Sequence, residues 1–165
     1  NNNVGNFNVT ATFDETNWYL GSTENNSFIV AGTTTFENVN VEGDWFNNDL
    51  RRGGTIDVYG ILVDDLGNRV NENISISIGN AELITSFNNE STFSSTGTIP
   101  EDYRNNHTVK LAYLGSEYLD GTQYKSKHSI LVESKIRFDF EPQNVFPGDN
   151  VNVSIWLEED DGSHD

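Results

Sequence analysis

Hydrophobic and polar positions alternate along most of the chain. Residues 55–63 place isoleucine, valine and leucine on one side of a two-residue period, and residues 74–78 alternate isoleucine with serine. This period is typical of a half-buried β-strand. Turn-forming stretches at residues 64–68 and 146–150 separate such runs. Short strands at intervals of about ten residues predict an all-β protein and favour a β-sandwich over an open sheet.

The chain carries an internal repeat. Residues 53–67 match residues 148–162 without a gap, and residues 7–32 resemble residues 107–134 with small differences in the loops. A period of about 95 to 100 residues has the length of one seven-stranded sandwich. The first comparison pairs Gly53 with Gly148, Val58 with Val153, Leu62 with Leu157, Asp65 with Asp160 and Gly67 with Gly162, and the second pairs Tyr19 and Leu20 with Tyr118 and Leu119.

The order of the matching segments divides the chain into three parts. Residues 1–31 are predicted to be the C-terminal strands of a preceding repeat, residues 32–133 a complete repeat, and residues 134–165 the N-terminal strands of a following repeat. Fragments this short cannot bury a hydrophobic core of their own. We therefore expect the terminal parts to pair with further repeats of a longer polypeptide or with another copy of the chain.

The charge balance narrows the classes of partner. The sequence has 26 acidic and 9 basic residues and a formal net charge of -17, so it would repel nucleic acid and anionic membranes. An aromatic content of 12% argues for a folded chain. Cysteine is absent, which excludes disulfides and thiolate metal sites. No apolar run approaches the roughly 18 to 20 residues that span a bilayer, so we expect no membrane insertion.

Two motifs in the complete repeat carry a family resemblance. The first is a glycine-containing hydrophobic strand that leads into an Asp-x-Gly hairpin, and the second is a later Gly-x-x-Tyr-Leu corner. The first is formed by Gly54, Ile56, Val58, Gly60, Leu62, Asp65, Gly67 and Val70, and the second by Gly115, Tyr118 and Leu119.

With these motifs the chain resembles the bacterial and archaeal immunoglobulin-like (Big-type) repeats of large surface proteins. The third segment departs from the pattern, because Ile155 stands where the second has Gly60. The resemblance implies tandem immunoglobulin-like β-sandwiches, one complete and two partial, in an extracellular, cell-surface or cell-envelope setting. S-layer subunits, adhesins, stalks and filaments use such repeats as spacers. The resemblance brings no catalytic residues.

Two acidic hairpin tips are candidate calcium sites. Hard cations bind clustered carboxylate oxygens in loops, and such a site would be irregular and shared between adjacent domains. The alternative is that these Asp-Gly sequences only form tight turns. The candidate ligands are Asp64, Asp65, Glu158, Glu159, Asp160 and Asp161.

Asn-X-Ser/Thr sequences are frequent, and each is a glycan acceptor if the protein is secreted. In a chain this rich in Asn, Ser and Thr, several of them arise by chance. The candidate acceptors are Asn8, Asn25, Asn73, Asn89, Asn106 and Asn152.

Aromatic residues in two loops are candidates for domain contacts or for stacking on sugar rings. Trp18 precedes a predicted Tyr-Leu corner that begins at Tyr19, and Trp45 and Phe46 lie in the first long connection of the complete repeat. Aromatic faces stack well on apolar surfaces. These positions fit either the junctions between successive domains or a glycan-binding platform.

The sequence carries no recognisable catalytic motif. His107, His128 and His164 are far apart and lack the spacing of a metal-binding pair, so we predict exposed polar residues there. Neither a nucleophile elbow nor a glycine-rich phosphate loop is present. We therefore expect a non-enzymatic protein.

The expected function is that of a structural component of a cell-surface layer, stalk or filament. Its expected partners are copies of itself or adjacent repeats, with surface glycans as a further candidate. Two alternatives stay open. One is an adhesin or glycan-binding module, which would expose an aromatic platform, and the other is a subunit that assembles by strand exchange between chains.

Overall fold

The computed structural model describes residues 4–87, 91–142, 144–160 and 162–163. These residues form β-strands with no α-helix, which confirms the predicted all-β class. The strands are β1 (Gly5–Phe13), β2 (Ser22–Val30), β3 (Thr34–Gly43), β4 (Leu50–Arg51), β5 (Thr55–Asp64), β6 (Ile74–Ile78), β7 (Ala81–Phe87), β8 (Thr92–Thr98), β9 (Asn105–Gly115), β10 (Asp120–Leu131), β11 (Ser134–Glu141) and β12 (Asn152–Glu159).

Strands β3 to β10 form one eight-stranded sheet in the order β3-β5-β8-β7-β6-β9-β10-β4. Strand β7 joins the two halves, because its first residues pair with β6 and its later residues pair with β8. The β3 edge also approaches β10, where Gly32 bridges to Leu119 and the Thr34 hydroxyl donates to the Asp120 carbonyl at 2.7 Å. The two halves thus face each other across a single core.

The core comes from the inward positions that the two-residue period predicted. Every second residue of β5 and β6 is buried, and β8 and β9 contribute the facing residues. Phe36 and Phe93 meet edge to face with ring centroids 5.9 Å apart. Full burial of such a side chain stabilises the fold by about 1.5–3 kcal/mol. The fully buried hydrophobic residues are Ile56, Val58, Leu62, Ile76, Ile78, Phe93, Ile99, Val109 and Leu111.

Gly60 lies beside a β-bulge and the Phe93 ring, which its counterpart Ile155 in the third segment does not face. The pairing of β3 with β5 shifts between Glu37 and Asn40, next to Gly60. A Cβ atom on Gly60 would lie 2.8 Å from the Phe93 ring and 3.1 Å from the Glu37 carbonyl oxygen. Strands β11 and β12 pair in an unbroken register. Without the bulge, the backbone does not crowd the position of Ile155.

The β1–β2 hairpin has the register of the β9–β10 hairpin. Phe13 pairs with Ser22 as Tyr113 pairs with Thr122, so both strands correspond at a constant difference of 100 residues. The loops agree as well, since the Thr16 N–H donates to the Tyr19 carbonyl and the Ser116 N–H to the Leu119 carbonyl, each at 2.9 Å. Tyr19 therefore corresponds to Leu119, and the predicted match of Tyr19 with Tyr118 is wrong by one residue.

The β11–β12 hairpin likewise has the geometry of the β3–β5 hairpin. Its turn repeats the same backbone bonds: Asp65 N–H donates to the Thr33 carbonyl at 3.0 Å, and Asp160 N–H donates to the Glu133 carbonyl at 2.9 Å. The turn glycines also agree, with φ of 81° at Gly67 and 82° at Gly162. Each terminal hairpin thus reproduces a different hairpin of the central sheet.

Candidate functional site

The inward face of the β11–β12 hairpin is exposed. Leu157 is 53% exposed and Val153 60% exposed, whereas their equivalents in β5, Leu62 and Val58, are both 0% exposed. The same face carries Ile136, Phe138 and Ile155, which are also exposed. Ile136, Ile155 and Leu157 line a cavity of about 650 Å³ on this face. Positions that form a core in the central sheet lie open in this hairpin.

The β1–β2 hairpin shows the same contrast. Its residues Val9, Phe13 and Val30 are exposed, and the corresponding residues of β9 and β10 are buried. Phe7 and Phe28 stack across the hairpin with ring centroids 5.8 Å apart. The buried counterparts are Val109, Tyr113 and Ile130.

The central sheet meets the β11–β12 hairpin at a cluster of arginines and carboxylates. Strand β4 positions Arg52, whose backbone N–H donates to the Leu131 carbonyl at 3.2 Å. The Arg52 side chain is 3% exposed and forms ion pairs with Asp160 and, at 3.2 Å, with Glu159. Arg104 approaches the same Glu159 carboxylate at 3.4 Å. The guanidinium of Arg52 holds the pKa of the Asp160 carboxyl below its usual value.

Arg51 extends this cluster towards Trp45. Its guanidinium lies 2.8 Å from the Glu133 carboxylate and 3.7 Å from that of Asp160. The same group lies over the Trp45 ring, 4.7 Å from the ring centroid, as a cation–π contact. Sequence analysis missed all three arginines of this cluster, although an adjacent Arg-Arg pair is conspicuous in a chain with 9 basic residues.

The turn after β5 holds two of the calcium candidates. The Asp64 carboxylate accepts hydrogen bonds from the N–H groups of Leu66 and Asn68 at 3.0 and 2.7 Å, and from the Asn68 side-chain amide at 2.9 Å. The Asn68 side chain contributes most to lowering the pKa of Asp64. Asp65 is exposed. Asp64 thus stabilises its own tight turn, as expected if this sequence forms a turn and does not bind calcium.

The other described candidates lie at the end of the β11–β12 hairpin, and guanidinium groups engage them. Glu158 pairs with Arg137 inside the hairpin, while Glu159 and Asp160 pair across the junction. Asp161 lies outside the described residues. Within the described ranges, no group of three metal-ligating side chains is close enough to hold a metal ion. Calcium binding stays a prediction.

Two of the histidines are brought together by the fold. His107 and His128 are directly opposed on β9 and β10, at the positions that Phe7 and Phe28 hold in the first hairpin. His107 stacks on Tyr103 with centroids 3.9 Å apart, and His128 lies 2.8 Å from the Ser126 hydroxyl oxygen. Both are half-buried, so the expected exposure is wrong for them. Burial lowers the pKa of His128, and His164 lies outside the described residues.

The aromatic candidates lie in separate places. Trp18 and Tyr19 lie in the β1–β2 loop, where Trp18 is 88% exposed and Tyr19 is also exposed. The Tyr19 ring packs edge-on against the Phe13 ring, with ring centroids 6.4 Å apart. Trp45 lies beside Arg51. Phe46 belongs to a short 3-10 turn, and its side chain lies outside the described part of the structure. Among the described ring contacts, none joins the Trp18 loop to Trp45.

The candidate glycan acceptors within the described residues are all exposed. Asn8 and Asn25 lie on the outward face of the first hairpin, where the Thr10 hydroxyl donates to the Asn25 side-chain oxygen at 2.6 Å. A glycan on either would therefore leave the hydrophobic face of that hairpin free. The exposed acceptors are Asn8, Asn25, Asn73, Asn106 and Asn152, while Asn89 lies outside the described residues.

Comparison with protein-family models, curated proteins and solved structures finds no match for this chain. In the described part of the chain, no helix is long and apolar enough to cross a membrane.

Proposed function

We propose that this chain is a non-enzymatic structural component of a cell-surface layer, stalk or filament, built from tandem immunoglobulin-like β-sandwiches that act as spacers. One observation carries the proposal. In both terminal hairpins, exposed hydrophobic residues such as Val9, Phe13, Val153 and Leu157 occupy, by strand register, positions that are buried in the central sheet. The hairpins are therefore proposed to be parts of sandwiches whose remaining strands are equivalent to those of the central unit.

Covering the exposed hydrophobic faces of the terminal hairpins would stabilise them. A two-stranded hairpin alone is marginally stable in water, and each buried large hydrophobic side chain stabilises a fold by about 1.5–3 kcal/mol. Strands equivalent to β6–β10 would cover the β11–β12 face, and strands equivalent to β3–β8 would cover the β1–β2 face. The proposed mechanism is mechanical, because each completed sandwich then fixes the distance between its two neighbours.

The charge and the exposed asparagine residues of the surface are compatible with an extracellular array of repeats. The net charge of -17 keeps extended copies soluble and mutually repelling. The exposed Asn8 and Asn25 lie away from the hydrophobic face, so glycosylation there would be compatible with completion of the sandwich. An extracellular, cell-surface location is part of the proposal.

The proposal is tested by completing the third sandwich. Residues 71–133, which contain β6–β10, are appended after residue 165 of this chain, and hydrogen exchange is measured at residues 152–159. If the strands are equivalent, the appended segment protects β12 and adds a second cooperative unfolding transition. The control is an appended segment of the same composition in scrambled order. Exchange in β12 that is as fast with the native segment as with the scrambled one would refute the proposal.

Strand exchange between chains is distinguished by the oligomeric state. Sedimentation equilibrium of the 165-residue chain gives a monomer if further sandwich strands belong to the same polypeptide. A concentration-dependent dimer that dissociates when Ile155 and Leu157 become serine would instead favour pairing between copies. Both residues are exposed in β12, so this change leaves the central core untouched.

The adhesin alternative rests on Trp18. A tryptophan side chain that is 88% exposed is available for stacking on a sugar ring. Glycan-array binding that is lost in Trp18→Ala and kept in Trp45→Ala would favour this function. No binding by the parent chain would leave the structural function as the better account.

A further inference from the structure

Basic and acidic side chains meet at the junction between the central sheet and the β11–β12 hairpin. Three of the chain's 9 basic residues gather there, although the chain as a whole carries 26 acidic ones. We define the arginine patch as Arg51, Arg52 and Arg104. Its partner Glu133 lies in the connection to β11, Glu159 ends β12, and Asp160 lies in the turn after β12.

Arg52 is the central member of the patch. Its side chain is 3% exposed, and a buried guanidinium left without carboxylate partners is strongly unfavourable. Two carboxylates that pair with it, Glu159 and Asp160, lie on the hairpin. Moving the hairpin away would thus take these two carboxylates from a nearly buried charge.

The acidic partner is presented by a turn of fixed geometry. The Asp160 N–H donates to the Glu133 carbonyl at 2.9 Å, and the Gly162 N–H donates to the Glu159 carbonyl at 3.0 Å. These bonds hold Glu133 and Asp160, which both contact Arg51, at the same end of the hairpin. The patch therefore meets a preformed set of carboxylates.

We propose that the arginine patch is a docking surface for the acidic turn of the repeat that follows, and that this docking sets the angle between the two units. The inference rests on the proposed function only in treating the β11–β12 hairpin as part of the next repeat. The partner is defined by its chemistry: a hairpin turn that places a Glu-Asp pair beside a third carboxylate.

The third segment lacks the arginine pair of the patch. By the gapless match of residues 53–67 with residues 148–162, the positions of Arg51 and Arg52 correspond to Phe146 and Pro147 in the third segment. That segment has no guanidinium pair at these positions. The charge-paired joint is therefore not repeated at these positions of the third segment.

The experiment measures the distance between the two units in the full 165-residue chain. The chain has no cysteine, so spin labels can be placed at Lys127→Cys on β10 and Ser154→Cys on β12, both of which are exposed positions. Double electron–electron resonance then reports the distance distribution. Docking predicts a narrow distribution for the otherwise unchanged chain.

The variants remove and then restore the charge pairing. Arg52→Glu and Asp160→Arg each place like charges at the junction and should abolish the narrow distribution, whereas the double variant Arg52→Glu/Asp160→Arg should recover it. Asp160→Asn tests the same contact from the hairpin side, so that a folding defect of the central sheet does not decide the result. The matched control is Arg137→Gln, which removes an ion pair inside the hairpin and should leave the distribution narrow.

Two results would overturn the inference: a broad distribution in the unchanged chain, or a distribution that stays narrow in Arg52→Glu, Asp160→Arg and Asp160→Asn. Recovery in the double variant is expected only if the two side chains pair directly. The outcome is separable from the test of the proposed function. Completion of the third sandwich with a flexible junction refutes docking alone, and a narrow junction without completion refutes the repeat assignment alone.

Discussion

Leu62 and Leu157 give a matched test of which hydrophobic positions stabilise the folded chain. They occupy equivalent positions in β5 and β12, but Leu62 is 0% exposed and Leu157 is 53% exposed. Truncation of a fully buried leucine to alanine removes its transfer free energy and leaves a cavity, so Leu62→Ala should lower the free energy of unfolding by about 2–5 kcal/mol. Leu157→Ala should change it by no more than about 0.5 kcal/mol, as for an exposed site.

Urea unfolding followed by NMR measures both effects separately in each part of the chain. Trp18, Trp45 and Trp156 lie in the first hairpin, the central sheet and the last hairpin, so their indole N–H signals report the three parts. Leu62→Ala should move the transition seen at Trp45 and leave its m value unchanged. Equal shifts for the two variants, or a loss below about 1 kcal/mol for Leu62→Ala, would refute the assignment of core and uncovered positions. In the chain extended by β6–β10, Leu157→Ala should become destabilising.

Three further predictions concern the bulge, the opposed histidines and the junction. Gly60→Ala should destabilise the central sheet by about 1–3 kcal/mol because its Cβ would meet the Phe93 ring, whereas Ile155→Ala should have little effect in the same urea assay. Burial lowers the pKa of His128, so the folded chain binds fewer protons than the unfolded chain, and stability should fall as the pH drops below about 6.5. In His107→Phe/His128→Phe, which introduces the ring pair of the first hairpin, this part of the pH dependence should disappear from thermal unfolding curves recorded between pH 7 and pH 5. Because Arg52 lowers the pKa of Asp160 from 3.8, junction docking should persist at neutral pH and be lost only as the pH falls below that value, which spin-label distances recorded against pH would check.

The two-residue period predicted the strands and much of the core. Ile56, Val58 and Leu62 were placed on one face of a strand, and all three are fully buried. The prediction succeeds because successive side chains of a strand point to opposite faces, so a local pattern is enough to identify the buried face. The repeat was also visible in the sequence, since its hydrophobic positions keep their spacing.

The alignment of the two loops was less accurate, for a physical reason. Matching Tyr19 to Tyr118 is based on the similarity of their side chains. The loop hydrogen bonds show instead that Tyr19 occupies the position equivalent to Leu119. Register in a hairpin is set by backbone pairing and loop geometry. Two equivalent hairpins can therefore have the same backbone geometry although their aromatic residues differ in sequence position by one residue.

The junction could not be predicted from local patterns. Arg52 is 108 residues from Asp160 along the chain, and no period or motif links two such positions. The opposed histidines were missed for a similar reason, because their proximity depends on the β9–β10 register. Contacts of this kind need the pairing of strands to be known first.

The two ends of the central unit are joined to their hairpins by different physical means. At the first junction, Gly32, the first residue of the central repeat, is held by backbone bonds to Tyr118 and Asp120, each 2.9 Å, and a Cβ atom there would lie 3.0 Å from the Val4 side chain of the first terminal part. At the second junction the contact depends on side-chain charge. Close backbone packing constrains position at short range and is insensitive to salt, whereas ion pairs select for the charge of the partner. The net charge of -17 makes most surfaces of the chain repel one another. Arg52 can thus select an acidic turn as its partner, because it pairs with carboxylates.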